Sequence, residues 1–195
     1  SHLKRNIPCQ DRTFSNSLNG TTVITLADGA GSCSKSEIGA EIVTQYVADF
    51  LCTNFDNIFQ KEETIISKTI LEGISKSLSQ KAKTLNLSVL DLSSTLLFVG
   101  VKDNRYLAGH IGDGLIGYFE GKDVKTLSYP ENGEFSNQTY FATKESAINH
   151  FRIYKADKNY YLAYYPRGSQ ESIKKNMLIT SDIKKLNNIN GFILM

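Results

Sequence analysis

The sequence has no apolar run long enough to cross a membrane, because its longest apolar stretches fall far short of about 18 residues. It also lacks a basic segment followed by an apolar one at its start, so no secretory signal peptide is predicted. The proline content is low, and neither of the two long helical patterns described below contains one. We therefore expect a protein that does not act at a membrane.

Neither sign of charge is in excess: 22 Lys and Arg stand against 20 Asp and Glu, for a net charge of +2. No long run of one sign occurs either. A clustered basic face is the usual electrostatic footprint of nucleic-acid binding. Binding to nucleic acid or to a membrane surface driven by net charge is therefore not expected.

Cysteine is scarce, and its three occurrences, Cys9, Cys33 and Cys52, are widely spaced without a C-x-x-C pair. An odd count with this spacing favours reduced thiols over a disulfide framework, and so predicts a cytoplasmic protein. The 195 residues suffice for one domain with its own core. Because the chain begins with Ser1 and ends in the strand-like "GFILM", we expect a single domain over residues 1–195 that is incomplete at both ends.

The segment "QDRTFSNSLNGTTVITLAD" contains two extended runs around Asn19-Gly20, a strong signal for a two-residue type I′ hairpin. In that hairpin Leu18 pairs with Thr21, and paired positions sum to 39. Asp11 then lies directly opposite Asp28, on the same face of the sheet.

The rest of the pattern predicts helices followed by strands. An S-x-x-E capping box at Ser34 opens an amphipathic helix, and a second runs from about residue 62 to 85. Four short β-like runs between residues 94 and 128 predict an antiparallel meander, and residues 150–165 predict two further strands. This order predicts an α+β fold, with antiparallel sheets covered by helices.

Two carboxylates that face each other on paired strands repel. A fold that keeps them usually protonates one, flanks them with cations or binds a metal ion. Carboxylate oxygens suit Mg²⁺ and Mn²⁺, and bridge two-metal sites naturally. The alternative is that Asp11 and Asp28 are two unrelated aspartates at the strand edges.

The turn after Asp28 has competing interpretations. Residues 29–36, "GAGSCSKS", differ by one residue from the P-loop pattern G-x-x-x-x-G-K-[ST], which would bind nucleotide phosphates. Asp28 beside the loop, and the absence of a βα alternation after it, oppose that interpretation. A strand-to-helix turn that simply needs flexible glycines is a further possibility. Cys33 is expected to be inert, since no His partner is evident in the sequence.

Taken in order, four segments resemble the metal-dependent Ser/Thr phosphatases of the protein phosphatase 2C family. They are "PCQDR" (Pro8–Arg12), "LADGAGS" (Leu26–Ser32), "LSSTLLFVGV" (Leu92–Val101) and "GHIGDGLIGY" (Gly109–Tyr118). The opening "SHLKRNIPCQD" is similar to a bacterial branch of that family. The resemblance extends from Ser1 to about Tyr118.

The resemblance implies an α+β fold arranged as a four-layer αββα sandwich, in which two antiparallel sheets are flanked by helix pairs. It implies two Mg²⁺ or Mn²⁺ ions and a third, weaker site in many members. The metal-binding residues would be Asp11, Asp28, the backbone carbonyl of Gly29 and, at the third site, Asp113. Asp11 and Asp28 would thereby be the catalytic residues.

The chain also departs from the family pattern. The phosphate-binding arginine is replaced by Asn6, so Arg5 or Lys4 would have to take its role. A later Ser-Asp-Gly ligand is missing: Ser181-Asp182 is followed by Ile183, and "GFILM" resembles the strand that precedes that motif. We therefore expect this chain to hold only part of the metal site.

The expected function is metal-dependent hydrolysis of phosphoserine and phosphothreonine in proteins, by a water that bridges a binuclear centre. Its partners would be phosphoprotein substrates. One alternative is a catalytically degenerate phosphatase-like module that binds or regulates without turnover. A second is a P-loop nucleotide-binding domain.

Overall fold

The computed structural model describes residues 9–131, 139–143, 145–157, 161–163 and 189–195. Two long helices and nine strands lie in these ranges. The strands are β1 (Arg12–Leu18), β2 (Thr21–Ala27), β3 (Leu96–Lys102), β4 (Arg105–Ile111), β5 (Ile116–Glu120), β6 (Asp123–Ser128), β7 (Arg152–Ala156), β8 (Tyr161–Ala163) and β9 (Ile189–Leu194). The helices are α1 (Ser36–Phe59) and α2 (Glu63–Leu85), and short 3₁₀ helices occupy Val89–Leu92 and Glu145–Asn149.

The β1–β2 hairpin has the register that the turn residues predict. Arg12 pairs with Ala27 and Leu18 with Thr21, so that paired positions sum to 39 along the whole ladder. Asn19 and Gly20 both have positive φ, 54° and 74°, as a type I′ turn requires. Asp11 and Asp28 are the next pair beyond the ladder, one residue outside each strand.

The strands form two antiparallel sheets. One has six strands in the order β1-β2-β3-β4-β7-β8, and the other has three in the order β6-β5-β9. The four strands from β3 to β6 are where the sequence predicts them, but the prediction of one continuous meander is wrong. The chain changes sheet at residues 112–115, because β4 pairs with β3 and β7 whereas β5 pairs with β6 and β9.

Side chains that alternate along the six-stranded sheet build two separate cores. One set packs under the two helices, where Val23, Phe98 and Ile153 meet Val47, Ile70 and Ile74. The other set faces the three-stranded sheet, where Leu97, Ala108 and Tyr154 meet Ile116, Tyr118 and Leu127. The six-stranded sheet is therefore the middle layer between the helix pair and the second sheet, which confirms the α+β sandwich of two antiparallel sheets with helices.

The N-terminus of α1 is held by tertiary packing, and the predicted capping box is wrong. The N-cap residue is Lys35, which makes no side-chain capping bond. The Ser34 hydroxyl instead donates to Asp91 at 3.2 Å, across to the 3₁₀ helix that precedes β3. Ser34 does not cap α1 because its hydroxyl is bonded to Asp91, which is held in place by the capping box of its own 3₁₀ helix.

Some sequence expectations fall outside the described residues, among them Arg5, Lys4, Asn6 and Ser181-Asp182. The three cysteines are all described and all free. Neither long helix in the described ranges is apolar enough to cross a bilayer. The extent of the domain over residues 1–195 stays a prediction.

Close packing at the start of α1 gives a test of this arrangement. A Cβ on Gly39 would lie 1.9 Å from the Leu92 carbonyl oxygen, whereas one on Gly31 would meet nothing nearer than 3.8 Å. We expect Gly39→Ala to lower the free energy of unfolding by about 2 kcal/mol, since overpacking outweighs the roughly 1 kcal/mol that alanine gains in a helix. Chemical denaturation measures the change.

Gly31→Ala is the control for that experiment, and its free energy of unfolding should stay within about 0.5 kcal/mol of the unmodified chain. A Gly39→Ala variant as stable as Gly31→Ala would contradict the packing of α1 against the 3₁₀ helix.

Candidate metal centre

Three aspartates lie at the same end of the sandwich, where the chain passes from one sheet to the other. Asp11 immediately precedes β1, and Asp28 immediately follows β2. Asp113 lies in the connection between β4 and β5. All three side chains are exposed to solvent. The hairpin register brings the first two together, and the change of sheet brings the third.

The electrostatics of Asp28 reflect this crowding. Partial desolvation, a hydrogen bond with the Asp11 carboxyl, and repulsion by Asp11 and then Asp113 raise the pKa of Asp28 from 3.8 to about 7. Every one of these influences raises the pKa. A divalent cation would stabilise such a pair, because its positive charge offsets the repulsion between the two carboxylates and their oxygens are suitable ligands.

Asp113 stands apart from the pair. Within the described residues, no three His, Cys, Asp or Glu side chains are arranged to hold a single ion. The Asp113 carboxylate instead accepts a hydrogen bond from the Thr139 hydroxyl at 3.3 Å. The geometry therefore brings together Asp11 and Asp28 as one pair, with Asp113 as a separate neighbour.

Thr95 holds the backbone at Asp28, a role that the sequence alone does not reveal. Its hydroxyl accepts a hydrogen bond from the Asp28 amide at 2.8 Å, and its own amide donates to the Asp28 carbonyl at 2.9 Å. Its methyl group also packs against Gly112, where an added Cβ would lie 2.5 Å away. Thr95 thus contacts both turns that carry the aspartates. The only sequence signal was its place in the segment Leu92–Val101.

Gly29 is required by the close approach of neighbouring chain segments. A Cβ at this position would lie 2.8 Å from the Ser36 hydroxyl and 2.9 Å from the Gln10 carbonyl oxygen. The Gly29 amide donates a hydrogen bond to the Gln10 carbonyl at 3.2 Å, and the neighbouring Asp28 carbonyl accepts one from the Thr95 amide. Among the described residues, none of these bonds involves the Gly29 carbonyl, which is the atom that the family resemblance assigns to a metal.

The loop 29–36 does not have the backbone of a phosphate-binding loop. Four of its amides donate to carbonyls of the protein, so these four do not converge on a ligand. The amides of Gly29, Ala30, Cys33 and Lys35 donate to the carbonyls of Gln10, Ser93, Ala30 and Asp91. The Lys35 ammonium pairs with Glu37 at 3.8 Å, and the Cys33 thiol donates to the Leu90 carbonyl. These contacts, together with the antiparallel sheet, speak against nucleotide binding.

A cavity of about 440 Å³ opens between the aspartates and a loop at residues 139–143. Its lining includes Asp28, the following glycine turn and Asp113, together with Thr139, Tyr140 and Phe141. The loop is anchored, because the Ala142 amide donates to the Ser94 carbonyl at 3.0 Å. The volume is within the usual range for a small-molecule site.

The raised pKa of Asp28 makes the stability of the metal-free chain depend on pH. The pKa of Asp28 is higher in the folded chain than in the unfolded one. Ionisation of Asp28 therefore destabilises the folded chain: this loss of stability is absent below about pH 4 and grows until about pH 7. After allowance for solvent at this exposed carboxyl, we expect Asp28→Asn to raise the free energy of unfolding by about 1 kcal/mol at pH 7.5 in EDTA.

The gain should vanish at pH 4. Glu72→Gln, which removes an exposed carboxylate paired with Lys68 on α2, should show no gain at either pH. Denaturant unfolding at the two pH values measures both. A destabilised Asp28→Asn at pH 7.5 would contradict the repulsion.

Comparison with known proteins identifies the family and the fold of the chain. The family model described as Protein phosphatase 2C matches residues 1–194. Serine/threonine-protein phosphatase 3 of Escherichia coli (strain K12) is 25% identical over 159 residues, which cover 79% of this chain and 63% of that protein. The chain thus spans less than two thirds of this relative's length.

Solved bacterial phosphatases share the fold. A bacterial serine phosphatase superposes with a TM-score of 0.58 at 11% identity, covering 96% of this chain and 90% of the other. Stp1 from Staphylococcus aureus gives 0.54 at 12% identity, covering 96% and 88%. The catalytic domain of the phosphatase PstP, solved in complex with two manganese ions, gives 0.56 at 12% identity, covering 96% and 90%.

At such identities the superpositions establish a common fold, and the sequence model carries the assignment across nearly the whole chain. This chain belongs to the protein phosphatase 2C family.

Proposed function

We propose that this chain hydrolyses phosphoserine and phosphothreonine in proteins with the aid of bound Mg²⁺ or Mn²⁺. The observation that carries the proposal is the pair of carboxylates, Asp11 and Asp28, held face to face with a pKa of about 7 at Asp28. The family membership and the phosphatase activity in the names of its relatives support the same reaction.

Asp11 and Asp28 would hold two cations through their carboxylates, and Gly29 would add its carbonyl. Asp113, set apart from the pair, would hold a third and weaker ion. Divalent cations at such a site supply a nucleophilic water at neutral pH and offset the negative charge of the phosphoryl oxygens. No nucleophilic side chain is required, so Ser32, Cys33 and Ser34 have no covalent role in this proposal.

The chain's own residues contribute position and access. Thr95 binds both the amide and the carbonyl of Asp28, and so holds the backbone that carries the carboxylate. The cavity gives room for a phosphorylated side chain between the aspartates and the Tyr140–Phe141 wall. Phosphoproteins would therefore be bound across this opening. Arg5 or Lys4 would bind the phosphate, a role that rests on the sequence alone.

Removal of either carboxylate charge tests the proposal. We expect Asp11→Asn and Asp28→Asn to lower kcat/KM for p-nitrophenyl phosphate in Mn²⁺ by at least about 100-fold, as expected when a main electrostatic contribution to the transition state is lost. Asp123→Asn, with its exposed side chain on β6, should retain the activity, and EDTA should abolish it. The assay uses the full-length protein.

The outcomes separate the candidate functions. Equal activity of Asp28→Asn and the unmodified protein would exclude the metallophosphatase. Bound Mn²⁺ without any turnover would indicate a binding module. Tight ATP binding that is lost in Lys35→Ala would restore the P-loop alternative.

A second prediction concerns Thr95, where two conservative changes separate its two contacts. Thr95→Val keeps the methyl group against Gly112 but removes the acceptor of the Asp28 amide, while Thr95→Ser does the reverse. We expect Thr95→Val to lower kcat about tenfold or more, because small displacements of a catalytic group are costly. Thr95→Ser should stay within about threefold. The reverse order in steady-state kinetics would show that packing, and not the hydrogen bond, positions Asp28.

A further inference from the structure

His110 lies directly behind the turn that carries Asp113, and it is fully buried. It occupies the last part of β4, on the face that meets the three-stranded sheet. Its Nε2 atom is 3.0 Å from the carbonyl oxygen of Gly112. A buried imidazole is stable only when both of its nitrogens have partners, so these partners define what the ring does.

The partners of the other nitrogen fix where the proton sits. Arg152 is the cross-strand neighbour of His110, and its guanidinium nitrogen lies 3.1 Å from Nδ1. Because a guanidinium only donates, Nδ1 accepts and the proton is on Nε2. Nε2 therefore donates to the Gly112 carbonyl. Burial, and then the charge of Arg152, lower the pKa of His110 well below its usual range, in agreement with a neutral ring.

The ring is also tied to the second sheet. The Ser128 hydroxyl, at the end of β6, lies 2.6 Å from Nδ1, and the Tyr154 hydroxyl lies 3.1 Å from that of Ser128. The single lone pair of unprotonated Nδ1 is shared by two donors, the Ser128 hydroxyl and the Arg152 guanidinium, and Ser128 accepts from Tyr154. Donors from both sheets thus hold the imidazole at Nδ1, and its Nε2–H group donates a hydrogen bond to the Gly112 carbonyl.

Gly112 is the point where this support is needed. Its φ of 120° and its contact with Thr95 exclude other residues, and its carbonyl accepts a second bond from the Glu131 amide at 3.0 Å. The turn is therefore fixed from behind by His110 and from the Asp28 side by Thr95. Asp113, the next residue, carries its carboxylate on this fixed peptide.

We propose that His110 is a positioning residue for Asp113: its Nε2–H bond to Gly112 sets the direction in which the Asp113 carboxylate enters the cavity shared with Asp28. The proposal rests on the proposed function, since it takes Asp113 to be a metal-binding residue.

Two substitutions of His110 distinguish the effect of the hydrogen bond to Gly112 from the effect of side-chain packing. The amide nitrogen of glutamine can reach the position of Nε2, whereas the shorter asparagine reaches only that of Nδ1. We expect His110→Asn in the full-length protein to weaken the lower-affinity Mn²⁺ binding, measured by isothermal titration calorimetry, about tenfold. The Mn²⁺ concentration for half-maximal hydrolysis of p-nitrophenyl phosphate should rise equally. His110→Gln should stay within about threefold in both.

A second pair of variants keeps the test decisive if His110→Asn does not fold. Ser128→Ala removes a donor that orients the ring, and Tyr154→Phe removes a hydroxyl one step farther away. Ser128→Ala should raise the Mn²⁺ concentration for half-maximal hydrolysis about threefold, and Tyr154→Phe should leave that concentration unchanged. Equal Mn²⁺ binding in both variants would overturn the proposal.

The calorimetry distinguishes this proposal from the proposed function. Metal-dependent activity with the same Mn²⁺ binding in His110→Asn, His110→Gln and the unmodified protein would overturn the positioning role alone. Mn²⁺ binding that is weakened only in His110→Asn, in a protein without phosphatase activity, would support the positioning role and overturn the function. Absence of Mn²⁺ binding in the unmodified protein would overturn both.

Discussion

The repulsion between Asp11 and Asp28 is built into the backbone of this protein. The type I′ turn at Asn19-Gly20 leaves the hairpin a single register, and that register puts the two carboxylates at the next paired position beyond its ladder. Neither side chain can move to the other face without shifting the whole strand pair by one residue. The fold therefore maintains an electrostatic penalty at one end of its middle sheet.

Apolar packing elsewhere in the fold compensates for the repulsion between the two carboxylates. The six-stranded sheet is packed on both faces, by the helix pair and by the second sheet, and the aspartates lie at its open end beyond both cores. Close contacts at Gly29, just after β2, and at Gly39, in the first turns of α1, hold the two ends of the connection between β2 and α1. Stability comes from the apolar layers, while the site retains a destabilising charge that a bound cation would offset.

Hydrogen bonds and one packing contact link the turns that carry Asp28 and Asp113. Thr95 contacts the turns of both Asp28 and Asp113, and His110 supports the second of these from inside the sandwich. Arg152 and Ser128 bring β7 and β6 into the same network. The position of Asp113 thus depends on how the two sheets are joined as well as on the positive φ of Gly112 in its own turn.

Much of this could be predicted from the sequence, because the governing interactions are local. Asn19-Gly20 determines a hairpin register, since only a few turns tolerate positive φ at two successive residues, and the register alone places Asp11 opposite Asp28. Apolar periodicity determined α1, α2 and the strands β3 to β6. Motifs in a fixed order were enough to indicate the family.

Other features were decided only by the tertiary structure. The predicted cap at Ser34 gave way to Asp91, a carboxylate 57 residues away in the chain that no local pattern could weigh. The predicted meander divides between two sheets at residues 112–115, because strand periodicity does not specify which strand is the neighbour. The roles of Thr95, His110 and Arg152 likewise depend on hydrogen bonds between distant segments. The sequence by itself determined which carboxylates face each other across a hairpin, whereas the packing of two sheets decided what holds them there.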